Sequence, residues 1–383
     1  MSQEVTNTKF GNGMLNVVAK DSSWSVKFAP RIQLLSVFRK AYDGSNYKKT
    51  ESNFLVRRAR LKFSGFAFSP KLKYKLELGL TNRDIAGVSV YNNLTPRIIL
   101  DAVVKWNFYK NFVLWAGQTK LPGNRERVIS SANLQLVDRS LLNKWFNIDR
   151  DIGLQLRHHD NIGNQFVIRE IFSFAQGEGR NITVGNLGGY QYTGRLEVLP
   201  FGNFAGNGDY KGSDIKRESS PKLAIGATYD YNSDAVKTRS NMGKYMITDS
   251  SGFYNTNIST IFLDAMFKYH GASLEAEYAS RVADDPIAVN SDGSETGDVV
   301  QVGEALNVQG GYIFQRNWEL SARYTTVHLD KTITGIDVQN QYTLGVSKYI
   351  SGHKLKVQSD ISYLTVGNEN NSLMYRLQLD VHF

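Results

Sequence analysis

The chain predicts an all-β fold, a transmembrane antiparallel β-barrel of about sixteen strands, and three observations carry that prediction. Short runs of alternating apolar and polar residues recur along most of its 383 residues, the period of strands with two unlike faces. The links between these runs switch between minimal turns and longer polar segments, the layout of a barrel with turns at one rim and loops at the other. No apolar run reaches the roughly eighteen residues that a membrane-spanning helix needs.

Composition narrows the class further. An apolar fraction of 41% and a mean hydropathy of −0.34 exclude a bundle of transmembrane helices. Aromatics make up 12%, with only seven Pro and no Cys, so disulfides and thiolate metal sites are excluded. The net charge of +9 and pI near 9.3 point to anionic partners: nucleic acid, anionic lipid or small anions. The first residues, MSQEVTNTKF, show no charged-then-apolar signal segment. The chain is therefore expected to be cytoplasmic, or a mature form without its signal peptide and with an added Met1.

Residues 1–22 read as a polar, periplasmic N-terminal tail and 23–383 as the barrel. Strands are expected at 24–41, 53–68, 71–84, 98–108, 111–118, 150–159, 164–176 and 188–200. The second half continues with 219–232, 258–270, 272–282, 303–315, 318–329, 337–350, 353–366 and 372–383. Minimal turns such as Ser69-Pro70-Lys71, Tyr109-Lys110-Asn111, Asp160 to Asn164 and Ser351-Gly352-His353 follow even-numbered strands. Longer links at 42–52, 85–97, 119–149, 177–187, 235–257, 283–302, 330–336 and 367–371 follow odd-numbered ones. Residues 201–218 break the rule, being long and Gly-rich where a tight turn is due. Either one strand pair is miscounted there, or the chain makes a real excursion on the turn side.

Alternation separates the faces. The last strand sets Leu373, Tyr375, Leu377, Leu379 and Val381 against Met374, Arg376, Gln378 and Asp380. A soluble sandwich alternates too. Three features favour the barrel: aromatic residues near strand ends, a final Phe, and the need of a single sixteen-stranded sheet to close its edges. Arg58, Arg60 and Lys62 share one parity on the second strand, joined by Lys73 and Lys75 on the third. They are assigned to the lumen, because a cation facing mid-bilayer lipid costs about 2–4 kcal/mol. Arg57 has the opposite parity and is expected in the headgroup zone. Glu77, Asp101, Asp151, Glu197, Asp264, Glu275, Glu277 and Glu319 face the lumen as well, which makes any anion bias a preference rather than an exclusion.

The stretch from Gly117 to Arg150 does not alternate, and connections of about thirty residues are usually functional or disordered. Its apolar anchors (Leu134, Leu136, Val137, Leu141, Leu142, Trp145, Phe146) argue for order. Residues 119–149 are expected to fold into the lumen as a constriction, with Lys120, Arg125, Arg127 and Arg139 contacting anions. The alternative is a surface loop tied down by pairs such as Arg125 or Arg127 with Asp138.

The run GQTKLPGNRERVISSANLQLVDRSLLN, with RRARLKFSG before it, resembles the phosphate-selective porin O and P family. The matching positions are Arg57, Arg58 and Arg60; Gly117, Gln118, Lys120 and Pro122; and Asp138, Arg139 and Ser140. Pro122-Gly123 stands where Pro-Phe is common in the family, and Asp138 where Glu is common. The resemblance implies a sixteen-stranded, usually trimeric outer-membrane barrel that passes anions such as phosphate.

Other chemistry finds little support. Six His occur without a Gly-x-Ser-x-Gly element, so a hydrolase is not expected. Asp284, Asp285, Asp292, Glu295 and Asp298 lack EF-hand spacing. No helix–turn–helix, zinc spacing or RNP-type strand supports nucleic-acid binding. The expectation is a passive outer-membrane porin without cofactor or metal, working as a homotrimer among outer-membrane lipid and lipopolysaccharide. The competing reading is an envelope docking partner whose lumen the long loop blocks.

Overall fold

The computed structural model describes residues 4–5, 9–163, 165–367 and 370–383. Residues 1–3 and 6–8 of the expected tail, Asn164 of the expected turn and 368–369 of the link 367–371 lie outside them. Sixteen strands form the barrel, and every expected strand has its counterpart. The first eight are β1 (Arg31–Asp43), β2 (Glu51–Ala67), β3 (Ser69–Gly79), β4 (Ile99–Tyr109), β5 (Phe112–Lys120), β6 (Arg150–Ile162), β7 (Phe166–Ala175) and β8 (Gln191–Leu199). The others are β9 (Lys222–Ala235), β10 (Thr256–Tyr269), β11 (Ala272–Ala283), β12 (Gly303–Ile313), β13 (Trp318–Leu329), β14 (Gln339–Tyr349), β15 (Leu355–Val366) and β16 (Asn370–His382). Each pairs antiparallel with the next, and β16 returns to β1 with Asn370 opposite Asp43 and His382 opposite Arg31. Closure removes the edges that so wide a sheet would otherwise expose.

The expected first strand divides at Pro30, which has no N–H to donate to a ladder. Its leading part, Ser25–Phe28, pairs with Leu15–Val18 and with the turn-side end of β2, Phe28 opposite Phe63. Part of the stretch read as a tail thus forms a hairpin continuing the barrel wall.

Burial separates barrel from sandwich. On β16, Leu377 and Leu379 are 42% and 38% exposed, while Gln378 and Asp380 are 1% and 0% exposed. Apolar faces point outward and polar faces inward, the arrangement a surrounding apolar solvent selects.

The stretch between β8 and β9 is a real excursion that contains one short 3-10 turn, Gly208–Tyr210. Lys268 Nζ on β10 donates to the carbonyls of Gly208 and Lys211 at 2.8 Å and of Ser213 at 2.6 Å. Ser213 Oγ donates to Glu319 Oε2 at 2.7 Å.

Between β5 and β6 the chain forms two short helices, Arg125–Val128 and Leu141–Phe146. Ser140 caps the second, its Oγ accepting from the Asn143 N–H at 3.2 Å. Glu126 fastens the two together by accepting from both the N–H and the Oγ of Ser140. Leu121, Leu142, Phe146 and Ile148 pack on Phe262, Ala279, Ala305 and Val327 of β10 to β13. Burying each of the larger side chains contributes about 1.5–3 kcal/mol. A Cβ at Gly345 on β14 would collide with Leu136 Cδ2, so glycine lets the segment approach the wall. Polar contacts reach round the barrel: Arg125 Nε to Asp264 Oδ1 on β10 at 2.7 Å, Arg323 Nη2 on β13 to Glu126 Oε1 at 2.8 Å, and Arg31 Nη1 on β1 to Ser131 Oγ at 2.7 Å. The Gly212 N–H of the excursion donates to Asn133 O at 2.7 Å, so the two long segments meet.

Candidate functional site

A cavity of about 1080 Å³ lies between the β2 to β6 arc and residues 120–150, with Asn207 and Tyr210 of the excursion also facing it. Eighteen basic side chains line it against five carboxylates. Seven of the eighteen (Arg57, Arg58, Arg60, Lys75, Arg127, Arg150, Arg376) are ion-paired. The other eleven make no ion pair among the described residues.

Arg57 is a correction to the sequence reading. Gln33 pairs with Arg58 but Leu34 with Val56, which leaves Arg57 bulged out of register. A bulge re-aims the extra side chain. Arg57 therefore joins Arg58 inside, 5% exposed, and bonds Asp138 Oδ1 at 2.6 Å. Asp138 gathers two further guanidinium groups, Arg376 at 3.6 Å and Arg58 at 3.7 Å. The expected pairing of Arg125 or Arg127 with Asp138 is replaced by this three-arginine clamp. Burial acts to raise the Asp138 carboxyl, but Arg57, Arg376 and Arg58 outweigh it and hold it well below the usual carboxylate range.

The remaining expected wall residues divide. Arg60 bridges Glu77 at 3.1 Å and Asp84 at 3.0 Å, and Lys75 bonds Asp101 at 2.7 Å and Glu77 at 2.8 Å. Lys62 lines the cavity without an ion pair among the described residues. Lys73 does not line it. It is exposed in a cleft with Val17, Ser25 and Lys27, because it sits one pair nearer the turn, where the hairpin covers the wall.

On the loop, Lys120 Nζ donates to the carbonyls of Arg127, Ile129 and Val128 at 2.6, 3.1 and 3.2 Å. Arg139 donates to the carbonyls of Glu126 and Ile129. Carbonyls orient these cations without cancelling their charge. Arg127 Nε donates to Asp149 Oδ1 at 2.8 Å. Arg125 is the second correction: it is 0% exposed, locked to Asp264 and Glu197, and off the cavity. A fully buried guanidinium must be neutralised where it lies.

Sequence reasoning passed over Lys105, Trp115 and Arg157, which also line the cavity. Strand parity was the available signal, since Lys105 lies two residues along β4 from Val103 and four from Asp101. It also passed over Arg97, Arg180, Lys237 and Arg239, which loops bring to the cavity and no period marks.

A closed sixteen-stranded barrel, apolar outside, polar within and holding an open basic cavity, is an outer-membrane channel of the porin class. Residues 33–377 match the family described as phosphate-selective porin O and P, and the chain belongs to that family. An uncharacterized protein of Aquifex aeolicus (strain VF5) is 26% identical over 389 residues, covering 94% of this chain and 86% of the relative. Solved structures share the fold at low identity. The anion-selective porin from Comamonas acidovorans is 12% identical with a TM-score of 0.58, covering 94% of this chain and 100% of that one. The outer membrane channel DcaP of Acinetobacter baumannii is 13% identical with a TM-score of 0.55, covering 96% and 99%. OmpT of Vibrio cholerae, solved in a trimer form, is 13% identical with a TM-score of 0.51, covering 94% and 99%. The chain is thus a passive channel of the outer membrane.

Proposed function

We propose that the channel passes small hydrophilic solutes with a preference for anions, phosphate among them. In this reading residues 119–149 fold into the lumen as its constriction, and the protein works as a homotrimer. The observation that carries the anion preference is the cavity wall, with eighteen cations against five carboxylates. Cations along a narrow aqueous path with low-dielectric walls focus a positive potential and raise the local concentration of anions. Arg58, Arg60, Lys62 and Lys75 would line the wall, and Lys120, Arg127 and Arg139 the constriction. Arginine forks match the paired oxygens of phosphate and carboxylate. The constriction is supported by the contacts of residues 121–149 with strands on several sides of the barrel. The trimer form of an outer-membrane protein of similar fold supports the homotrimer.

The test is the reversal potential of detergent-purified protein in a planar bilayer under a KCl gradient. A displacement toward the chloride equilibrium potential is expected, shrinking in an Arg58→Gln/Lys62→Gln variant. A zero or cation-directed potential from ohmic channels would sink the anion preference. No channels from folded protein would favour a barrel that docks envelope partners with its lumen blocked.

A further inference from the structure

Two of the unpaired cavity cations share one aromatic ring, whereas Lys144 and Lys237 lie over Trp145 and Tyr245, one cation to a ring. Lys105 on β4 stands opposite Trp115 on β5, and Trp115 opposite Gln155 on β6. Lys105 Nζ lies 3.5 Å from the centroid of the Trp115 ring, and Arg157 Cζ lies 3.9 Å from it. Gln155 Oε1 fixes the arginine by accepting from Nε at 3.2 Å and Nη2 at 2.8 Å. All three of Lys105, Trp115 and Arg157 line the cavity. Neither cation makes an ion pair among the described residues.

We propose that Lys105 and Arg157, held against Trp115, form a separate subsite for a small oxyanion in the turn-side part of the cavity. This deepens the anion-channel reading above and rests on it. The partner that holds each cation decides how much of its field a solute meets. Lys75, on the neighbouring strand, is held by Asp101 and Glu77, whose negative charges cancel its field. An indole attracts a cation through its quadrupole and carries no net charge. Gln155 is neutral as well. The two side chains are therefore positioned without a carboxylate to cancel their charge. A tetrahedral oxyanion such as inorganic phosphate offers several acceptor oxygens to the ammonium and to the guanidinium fork. Chloride offers no paired acceptors, so the subsite discriminates between the two anions. Trp115 acts as a positioning residue through the cations that it holds.

The experiment measures chloride current through single channels of the full chain while inorganic phosphate is titrated as a blocker. Trp115→Leu is expected to raise the half-blocking phosphate concentration by roughly 5- to 30-fold while chloride conductance stays within about twofold. Trp115→Phe, which keeps a weaker π face, should stay within about threefold of the original. Lys105→Gln/Arg157→Gln should weaken block likewise, and adding Trp115→Leu to it should change nothing further, since the ring then has no cations to hold. A merely structural tryptophan would instead move chloride conductance and phosphate block together in the Leu and Phe variants alike, and that result overturns the subsite. So does phosphate block that is absent from the unaltered chain or indifferent to Trp115→Leu. If Trp115→Leu does not fold, the Lys105→Gln/Arg157→Gln variant decides by the same readout. Loss of the subsite with the chloride-directed reversal potential intact leaves the anion preference standing, whereas a reversal potential of zero removes both.

Discussion

The two arcs of the barrel wall use the same kind of strand for opposite purposes. Along β8 to β15, part of the inward charge is matched, while Lys268, Arg281 and Lys356 bond backbone carbonyls and lie buried off the cavity. Arg125 and Arg195 share Asp264 and Glu197, Arg323 pairs with Glu126, and these side chains are at most 1% exposed. Loop leucines and Phe146 fill the remaining space on the small and apolar residues of that arc. Along β2 to β6 and the loop surface facing it, cations outnumber acids, and Lys105, Lys120, Arg139 and Arg157 are oriented by carbonyls, rings or amides. A charged residue pointing into a barrel therefore says little about permeation by itself. What it is bonded to decides. A carboxylate partner turns a cation into a tether, whereas a neutral partner holds it in place and leaves its field intact.

The comparison breaks most readily at Arg125. Removing one partner of a buried pair costs about 3–5 kcal/mol, because the remaining charge is left uncompensated. Arg125→Ala should lower the unfolding temperature clearly and raise single-channel conductance as the loop loosens. The reversal potential should move little, because Arg125 does not face the cavity. Unchanged melting and conductance would mean that the matched arc does not hold the loop.

A smaller effect is expected where the excursion meets the loop. A Cβ at Gly212 would lie 2.5 Å from the Gln135 backbone nitrogen, and overpacking of this kind costs about 1–3 kcal/mol. Gly212→Val should raise conductance and current noise without altering anion preference. Conductance indistinguishable from that of the unaltered channel would show that the excursion does not position the loop.

The smallest effect concerns pH. Because Asp138 titrates lower in the folded chain than the roughly 3.9 of an unfolded one, its contribution is complete above that value. It is lost only as pH falls through the lower folded value. Conductance governed by the Arg57–Arg58–Arg376 clamp should therefore stay flat from about pH 8 down to about pH 4 and change below it. Asp138→Asn should abolish that acid transition. A conductance step between pH 5 and 7 that disappears in Asp138→Asn would contradict the clamp.

Strand number, closure and inner face were legible because each rests on a local period. Alternation at Leu377-Gln378-Leu379-Asp380 assigns inside and outside without any knowledge of neighbours. The same rule failed at Arg57, because a bulge is a property of two strands in register and β2 alone does not reveal it. The expected anion contact of Arg125 failed for another reason: its neutralising acids lie on β8 and β10, far along the chain. Trp115 was legible as an inward residue, yet its role depends on Lys105 and Arg157 meeting it from the two adjacent strands.

A sixteen-stranded barrel with an apolar exterior, a basic lumen and one long anchored segment follows from the order of residues, since period, turn spacing and net charge are written residue by residue. Folding sets which of the described cations become tethers and which stay without an ion pair, brings residues 200–221 to the long loop, and places two of the cations on one ring. Those outcomes depend on pairing across the barrel, where the partner of a charge is set by closure and register rather than by its neighbours in the chain.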